Sequence, residues 1–335
     1  MKIIKPSVEL INYSDPQQHI EAIGRTCYKS ENRITEDSNR SFITQLYKSK
    51  HWAMLEHFIF IYDVTTALSI GEEYLNIFAP GYNTSSTYVD YDEERVVVSF
   101  NATTLNNLYE KYTIERSRKQ YLIKHLIDRC IHDYDCYELF GKDRNTYNIS
   151  DNIYMEDIIP MEINELNTEE QKIHGWQTVK FVCDRGVSHE LVRHRIASFA
   201  QESTRYCNYS KDKFGNELTF IEPIFFNTES PDDDSYTHYR AWRNSIKELE
   251  KTYLKMLEEG AKPQEARSIL PNSLKTEIII TATFNEWNHI FGLRVDTPAH
   301  PQMREIMIPT YIQFRNKYAD PIKNDYLDKL VNYNS

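Results

Sequence analysis

Glycine is scarce in this chain, with nine in 335 residues. A collagen-like repeat and a glycine-rich low-complexity chain are thereby excluded. Long apolar runs are missing as well. No window approaches about 18 uncharged apolar residues, the length a membrane-spanning helix needs, and mean hydropathy is −0.62. The opening MKIIKPSVELINY lacks a continuous apolar core, so it is not read as an export signal and the cytoplasm is the expected compartment. Cysteine is sparse and odd in number: Cys27, Cys130, Cys136, Cys183 and Cys207. None forms a C-x-x-C pair, so neither a disulfide framework nor a structural zinc site is expected, and no metal is assigned. Positive charge is in deficit, with 39 Lys and Arg against 50 Asp and Glu, a net charge of −11. This argues against a surface that coats nucleic acid. It leaves room for a small, locally cationic pocket for an anionic metabolite.

At roughly 100–200 residues per domain, the length fits two domains or one with a large insertion. Asp15-Pro16 opens a helix with Ile20, Ile23 and Cys27 on one face, although Gly24 interrupts the pattern. A second helix is expected from about Glu36 to Lys50, then a buried strand at Phe58–Val64. Residues 68–172 differ in texture. They hold a polar Tyr/Asn-rich segment, a strand at Arg95–Phe100, a helix with Leu122, Leu126 and Cys130 on one face, and an acidic stretch from Asp151 to Glu170. This span is too long for a loop and shows no motif of known chemistry, so it is read as an insertion. Its apolar helix face must be buried either within the span or against another subunit, and its scarcity of aliphatic residues favours the second.

Regular patterning resumes with a strand at Gln177–Cys183 and a short helix starting at a cap, Ser188, and running into Arg193-His194-Arg195. A strand is expected at Thr219–Glu222 and a breaker at Pro231–Ser235. The next helix carries Trp242, Ile246, Leu249, Tyr253 and Met256 and ends at Gly260. A strand at Lys275–Phe284 and helices at Asn285–Arg294 and Pro301–Tyr318 complete the chain. Strands and helices without strict alternation favour an α+β fold, a mixed sheet flanked by helices.

The densest chemical constellation is RHRIASFAQESTRY, residues 193–206. It joins three guanidinium groups, an imidazole and three hydroxyls. Arginines make bidentate bonds to phosphate oxygens and hydroxyls add donors. Ile196, Ala197, Phe199 and Ala200 interleave these groups, which suggests a partly buried segment where unpaired arginines would be costly. A solvated basic helix end is the plainer alternative. Arg267, in EARSILP, and Arg294, in NEWNHIFGLR, are further cationic points for which a surface salt bridge is the ordinary role. HWAMLEH offers His51, Glu56 and His57, but a metal site needs convergent ligands, and a structural histidine is favoured.

The segment RHRIASFAQESTRY closely resembles the signature of the flavin-dependent thymidylate synthases, keeping Arg193, His194, Arg195, Ser198, Ser203, Arg205 and Tyr206. HWAMLEH, EARSILP and NEWNHIFGLR, the last followed by His300 and Gln302, resemble three further segments of that family in the same order. The resemblance implies a thymidylate synthase-complementing fold formed by residues 1–67 and 173–335, with 68–172 inserted. It implies reductive methylation of dUMP to dTMP, with methylene-tetrahydrofolate as carbon donor, FAD as hydride carrier and NADPH as reductant. Arg294 is the implied catalytic residue, beside the uracil ring. Glu190, Arg193, Gln201, Glu202, Ser203, Thr204, Arg205 and Arg267 are implied at dUMP. His51, Arg193, His194, Arg195, Gln201, Thr283, Asn285 and His289 are implied at FAD. The family builds such sites between the subunits of a homotetramer, with no nucleic acid or membrane as partner.

Ala53, Glu190, Ala200, Thr283 and Asn285 depart from residues common in the family, mostly where it touches FAD. A cysteine-dependent thymidylate synthase is disfavoured because its Pro-Cys-His context is absent. A non-catalytic nucleotide- or RNA-binding protein using the same arginines is the rival of a different class.

Overall fold

Asp15 and Pro16 start the first helix, α1 (Pro16–Tyr28). Asp15 Oδ1 accepts the Gln18 amide at 2.7 Å, and proline sits in the first turn, where its missing N–H is not needed. Gly24 is explained by packing rather than by helix propensity. A Cβ there would come within 2.7 Å of the Phe42 ring, which lies on α2 (Ser38–Lys48). The computed structural model describes residues 1–65, 88–92, 95–116, 119–149, 158–211, 214–226, 228 and 234–332, with backbone alone for 88–92, 95 and 122. The expected breaker at Pro231 to Asp233, and most of the Tyr/Asn-rich part of 68–172, lie outside these residues.

The strands are β1 (Lys2–Ile4), β2 (Ser7–Ile11), β3 (Ile59–Asp63), β4 (Tyr88–Asp92), β5 (Arg95–Asn101), β6 (Ile159–Pro160), β7 (Trp176–Asp184), β8 (Ser198–Gln201), β9 (Thr219–Ile221) and β10 (Lys275–Thr283). Among the described residues they form two four-stranded antiparallel sheets, ordered β2-β7-β10-β8 and β4-β5-β3-β6, and a parallel pair of β1 with β9. The α+β class holds, and the single mixed sheet expected from sequence is corrected. The reason is β3: it pairs with β5 and β6 and so founds a second sheet instead of extending the first. Among the described residues only β1 and β9 run parallel, and β9 bridges to Leu274 at the edge of the first sheet.

Behind the first sheet, α9 (Phe284–Arg294) and α10 (Pro301–Tyr318) bury Trp287, Phe291 and Phe314 against Phe181, Ile278 and Ile280. Each fully buried large side chain of this kind contributes about 1.5–3 kcal/mol. A second core joins Ile20, Phe42 and Leu46 of α1 and α2 to Phe60 of β3, Phe100 of β5, Leu105 of α3 (Ala102–Ile114) and Leu126 of α4 (Lys119–Tyr134). Leu126 and Cys130 are thus covered by the chain itself, which corrects the expectation that another subunit buries that face. The side chain of Leu122 lies outside the described residues. Phe58, before the 68–172 span, and Trp176, after it, meet edge to face at 5.2 Å. A third cluster packs the long helix α7 (Asp234–Glu258) on Tyr209, Phe220 and Leu274. Gly260, at φ +97°, supplies the left-handed turn after that helix. Two short helices are α5 (Thr168–His174), before β7, and α8 (Pro263–Ala266), after that turn.

Candidate active site

Asp184 ends β7 and caps the next helix directly. Its Oδ1 accepts the Val187 amide at 2.7 Å, so α6 spans Arg185–Leu191. The cap expected at Ser188 is therefore corrected. Ser188 is interior to the helix and its hydroxyl donates to the Arg185 carbonyl at 2.9 Å. An earlier start means an earlier end, which leaves Arg193, His194 and Arg195 in the turn between α6 and β8 rather than on the helix. Arg193 and Arg195 are exposed and His194 is buried.

The buried imidazole meets Arg294, the last residue of α9. Arg294 Nε donates to His194 Nε2 at 3.0 Å. Its terminal nitrogens donate to Glu190 Oε2 at 2.9 Å and to the Glu190 carbonyl at 3.3 Å. The guanidinium is thus locked in plane by a carboxylate, a carbonyl and an imidazole, all contributed by residues 190–194. Burial, followed by the neighbouring Arg294 and His289, pushes His194 down to about 4, so the ring is neutral at pH 7. Glu286, buried in the first turn of α9, lies 3.7 Å from His194 Nδ1, and burial pushes its carboxyl up. His289 stands edge-on to His194 at 5.9 Å. These three residues bring candidate metal-ligand atoms within 4.8 Å of one another. Arg294 occupies Nε2, however, so the neutral ring carries its proton on Nδ1, facing Glu286. That hydrogen takes the place a cation would need. Asn285 is exposed in the first turn of α9. Thr283, at the cap of α9, is fully buried, and its hydroxyl has no hydrogen-bond partner among the described residues.

The second half of the signature forms a separate cluster. Gln201 Nε2 donates to the Ser188 hydroxyl at 2.9 Å and to that of Thr276 at 3.2 Å, which ties β8 to α6 and β10. Glu202 is buried, accepting from Tyr209 and from Lys275, both at 2.8 Å. Lys275, Lys29 and Lys180 also pair with Glu277 beneath this strand. The Ser203 amide donates to the Cys27 carbonyl at 3.2 Å, and the Arg205 amide donates to the Ser203 hydroxyl at 3.3 Å. Arg267 reaches the Thr204 hydroxyl at 3.4 Å. Both Arg205 and Arg267 are exposed, and Arg205 lies over the Tyr206 ring at 5.5 Å.

Tyr206 continues to Tyr28, whose hydroxyl meets His51 Nδ1 at 3.1 Å. Tyr28, His51 and Tyr206 line a cavity of about 440 Å³ with Arg25 and Arg33. Glu190 instead lines a cavity of about 600 Å³ with Asp184, Phe225, Trp242 and His300. The remaining residues of HWAMLEH diverge from His51. His57 is buried on the Thr281 hydroxyl at 2.7 Å, and Glu56 accepts from Ser198 at 3.2 Å. His57 thus plays the structural part expected of it.

The structure therefore brings Glu190, His194, His289 and Arg294 into one cluster, and Ser203, Thr204, Arg205 and Arg267 into another. It adds Glu286, which the sequence reading passed over. The available signal was its spacing: Glu286 and His289 are three residues apart and share a helix face.

The α+β frame thus sets the histidine of an Arg-His-Arg turn against the arginine that ends a helix. The chain belongs to the family described as thymidylate synthase complementing protein, which it matches over residues 9–157 and 174–318. It is 36% identical over 124 residues to the flavin-dependent thymidylate synthase of Pyrococcus abyssi, covering 37% of this chain and 48% of that protein. It is 29% identical over 180 residues to that of Corynebacterium efficiens, covering 52% of this chain and 68% of the relative. The chain thus spans about half the length of the first of these curated relatives. A UMP/dUMP methylase, PolB from Streptomyces cacaoi bound with 5-Br dUMP, is similar in structure at a TM-score of 0.39 and 15% identity, over 94% of this chain and 93% of that one. At that level the likeness adds nothing to the family match.

Proposed function

We propose that this chain is a flavin-dependent thymidylate synthase that methylates dUMP reductively to dTMP. The carbon donor is methylene-tetrahydrofolate, the hydride carrier is FAD and the reductant is NADPH. The observation that carries this reading is Arg294, held rigidly by His194 and Glu190 beside the Arg-His-Arg turn. A guanidinium fixed in this way, with further N–H groups to offer, donates to a uracil carbonyl and stabilises the imide anion. Charge then gathers at the ring carbon that is alkylated. The donors require no rearrangement as charge develops, which is the condition for electrostatic catalysis.

The exposed Arg205 and Arg267, with the Ser203 and Thr204 hydroxyls beside them, suit the dUMP phosphate. Gln201 and Glu202 hold that loop to the sheet. For FAD, the fit lies in the donor chemistry. Arg193, Arg195, Asn285 and His289 are exposed donors around one turn and one helix start, suited to an anionic dinucleotide, with His194 and Thr283 behind them. His51, in the cavity with Tyr28, would serve the same cofactor from another side. FAD supplies the hydride chemistry when bound, and the protein's part is to orient it and exclude water.

Glu190 of the first cluster and Tyr206, next to Arg205 of the second, line different cavities, and in this reading a complete site forms where the Arg294 cluster of one subunit meets the Arg205 cluster of another in a homotetramer. Residues 1–67 and 173–335 form the catalytic unit, and 68–172 is an insertion that pairs with β3 and shares the core of α1 and α2. The enzyme works in the cytoplasm, without nucleic acid or membrane as partner. Among the described residues, no helix is long and apolar enough to cross a membrane.

The test is direct. Purified protein supplied with FAD, dUMP, methylene-tetrahydrofolate and NADPH should absorb as a flavoprotein and form dTMP. Phosphate or RNA affinity without flavin and without dTMP would overturn the reading in favour of a binding module.

A further inference from the structure

We propose that Glu286 is a positioning residue that fixes the tautomer of His194 and, through it, the aim of Arg294. The inference rests on the thymidylate synthase reading for its consequence, but its structural content stands apart from that reading.

A guanidinium only donates hydrogen bonds. The 3.0 Å contact from Arg294 Nε therefore requires a bare nitrogen at His194 Nε2. A neutral imidazole bears one N–H, which must then sit on Nδ1. This tautomer needs an acceptor on the Nδ1 side, or a buried donor is left without a partner. Glu286 Oε1 stands there at 3.7 Å, and both side chains are buried, at 3% and 8% exposure. A modest side-chain adjustment closes that gap to a hydrogen bond. Were the proton on Nε2, it would point at the guanidinium, donor against donor, and the Arg294 contact would be lost. The carboxylate thus selects the only ring form that can hold the arginine.

The consequence reaches the reacting end of Arg294. Its Nε is pinned by His194, and its terminal nitrogens by Glu190 Oε2 at 2.9 Å and, more loosely, by the Glu190 carbonyl at 3.3 Å. Without the imidazole acceptor the guanidinium would keep only its Glu190 contacts and tilt about them. Displacement of a catalytic donor by about 1 Å is enough to cost roughly a hundredfold in rate. The chain carboxylate, imidazole, guanidinium has the same logic as any acid that orients a histidine, with an arginine in the place of the nucleophile.

Substitutions at position 286 of the flavin-loaded protein separate this role from simple packing. Glu286→Gln keeps an acceptor oxygen in place, whereas Glu286→Ala removes it. Nitrogen-15 NMR of histidine-labelled protein, with the His194 signal assigned through His194→Asn, reports which ring nitrogen carries the proton. The expected result is an Nδ1–H tautomer in the wild type and in Glu286→Gln, and a mixture containing Nε2–H in Glu286→Ala. In the same variants kcat for dTMP formation should fall about tenfold or more for alanine and be largely rescued by glutamine, with KM for dUMP nearly unchanged. An Nε2–H or doubly protonated His194 in the wild type would overturn the proposal, as would an unmoved tautomer in a folded Glu286→Ala protein. The functional reading fails separately: it is lost if the wild type forms no dTMP, whatever the tautomer.

Discussion

The two arginine clusters use the same residue type under opposite conditions. Arg294 is half-buried, at 19% side-chain exposure, and paired with a carboxylate. Arg205 and Arg267 are exposed, and their contacts are a ring face and a hydroxyl. A guanidinium held by a carboxylate and an imidazole has fixed geometry and a reduced net field. It suits directing a short hydrogen bond, not collecting an anion. An exposed guanidinium keeps its full charge and its freedom, which suits phosphate capture. Under the proposed function, the difference gives chemistry to the first cluster and binding to the second.

Breaking the first cluster should have the larger effect. Arg294→Ala is expected to lower kcat about 10²–10³-fold, with dUMP affinity by calorimetry changed far less. Equal losses in kcat and affinity would erase the division of labour. Breaking the second cluster should raise KM instead. A charged hydrogen bond is worth about 1.5–3 kcal/mol, so Arg205→Ala or Arg267→Ala should each weaken dUMP binding about ten- to hundredfold. The loss should shrink for deoxyuridine, which lacks the phosphate. An undiminished loss with deoxyuridine would place these arginines elsewhere on the substrate.

The third expectation concerns what holds the binding loop in place. Burial works to raise the Glu277 carboxyl, but Lys275 and Lys29 beside it outweigh burial and hold it down at about 2. A carboxyl depressed in the folded state contributes stability above its ordinary value of 4.5, and that stability is lost as pH falls toward about 2. The contribution at pH 7 is about 3 kcal/mol. Urea unfolding should show Glu277→Gln destabilised by about that amount at pH 7, with the gap to wild type narrowing at pH 3. A gap that does not change with pH would show that the lysines do not act through this charge.

The smallest effect is expected at the cysteines. All five are buried and none forms a disulfide among the described residues, and burial pushes the Cys183 thiol well up, away from thiolate chemistry. Cys183→Ser and Cys207→Ser should retain substantial dTMP formation. Abolished turnover in a folded Cys207→Ser protein would point to a covalent cysteine mechanism.

Much of the fold was legible because it is local. The Pro301–Tyr318 helix carries both its proline start and its extent in the sequence, and β10 is a continuous β-branched run because both its faces are covered. Legibility ended where distant residues compete. Asp184 and Ser188 are both plausible caps four residues apart. Asp184 wins because the strand ends there and its carboxylate reaches Val187. Nothing near β3 tells that it pairs with β5 rather than with β7, since that choice is made between partners far apart in sequence. The arginines of the site were readable one by one. That Glu190, His194 and Arg294 form one unit across a hundred residues was not, and Glu286 gains meaning only once that unit exists.

The claim that clusters from two subunits make one site is tested most directly by mixing defects. Arg294→Ala and Arg205→Ala chains are co-expressed with different affinity tags, and hetero-oligomers carrying both tags are isolated. Each variant alone should be nearly inactive at low dUMP. The mixed oligomer should regain dTMP formation, because some of its sites combine an intact Arg294 cluster from one chain with an intact Arg205 cluster from the other. Mixed oligomers no more active than the two variants measured apart would contradict the account and place both clusters in a site within a single chain.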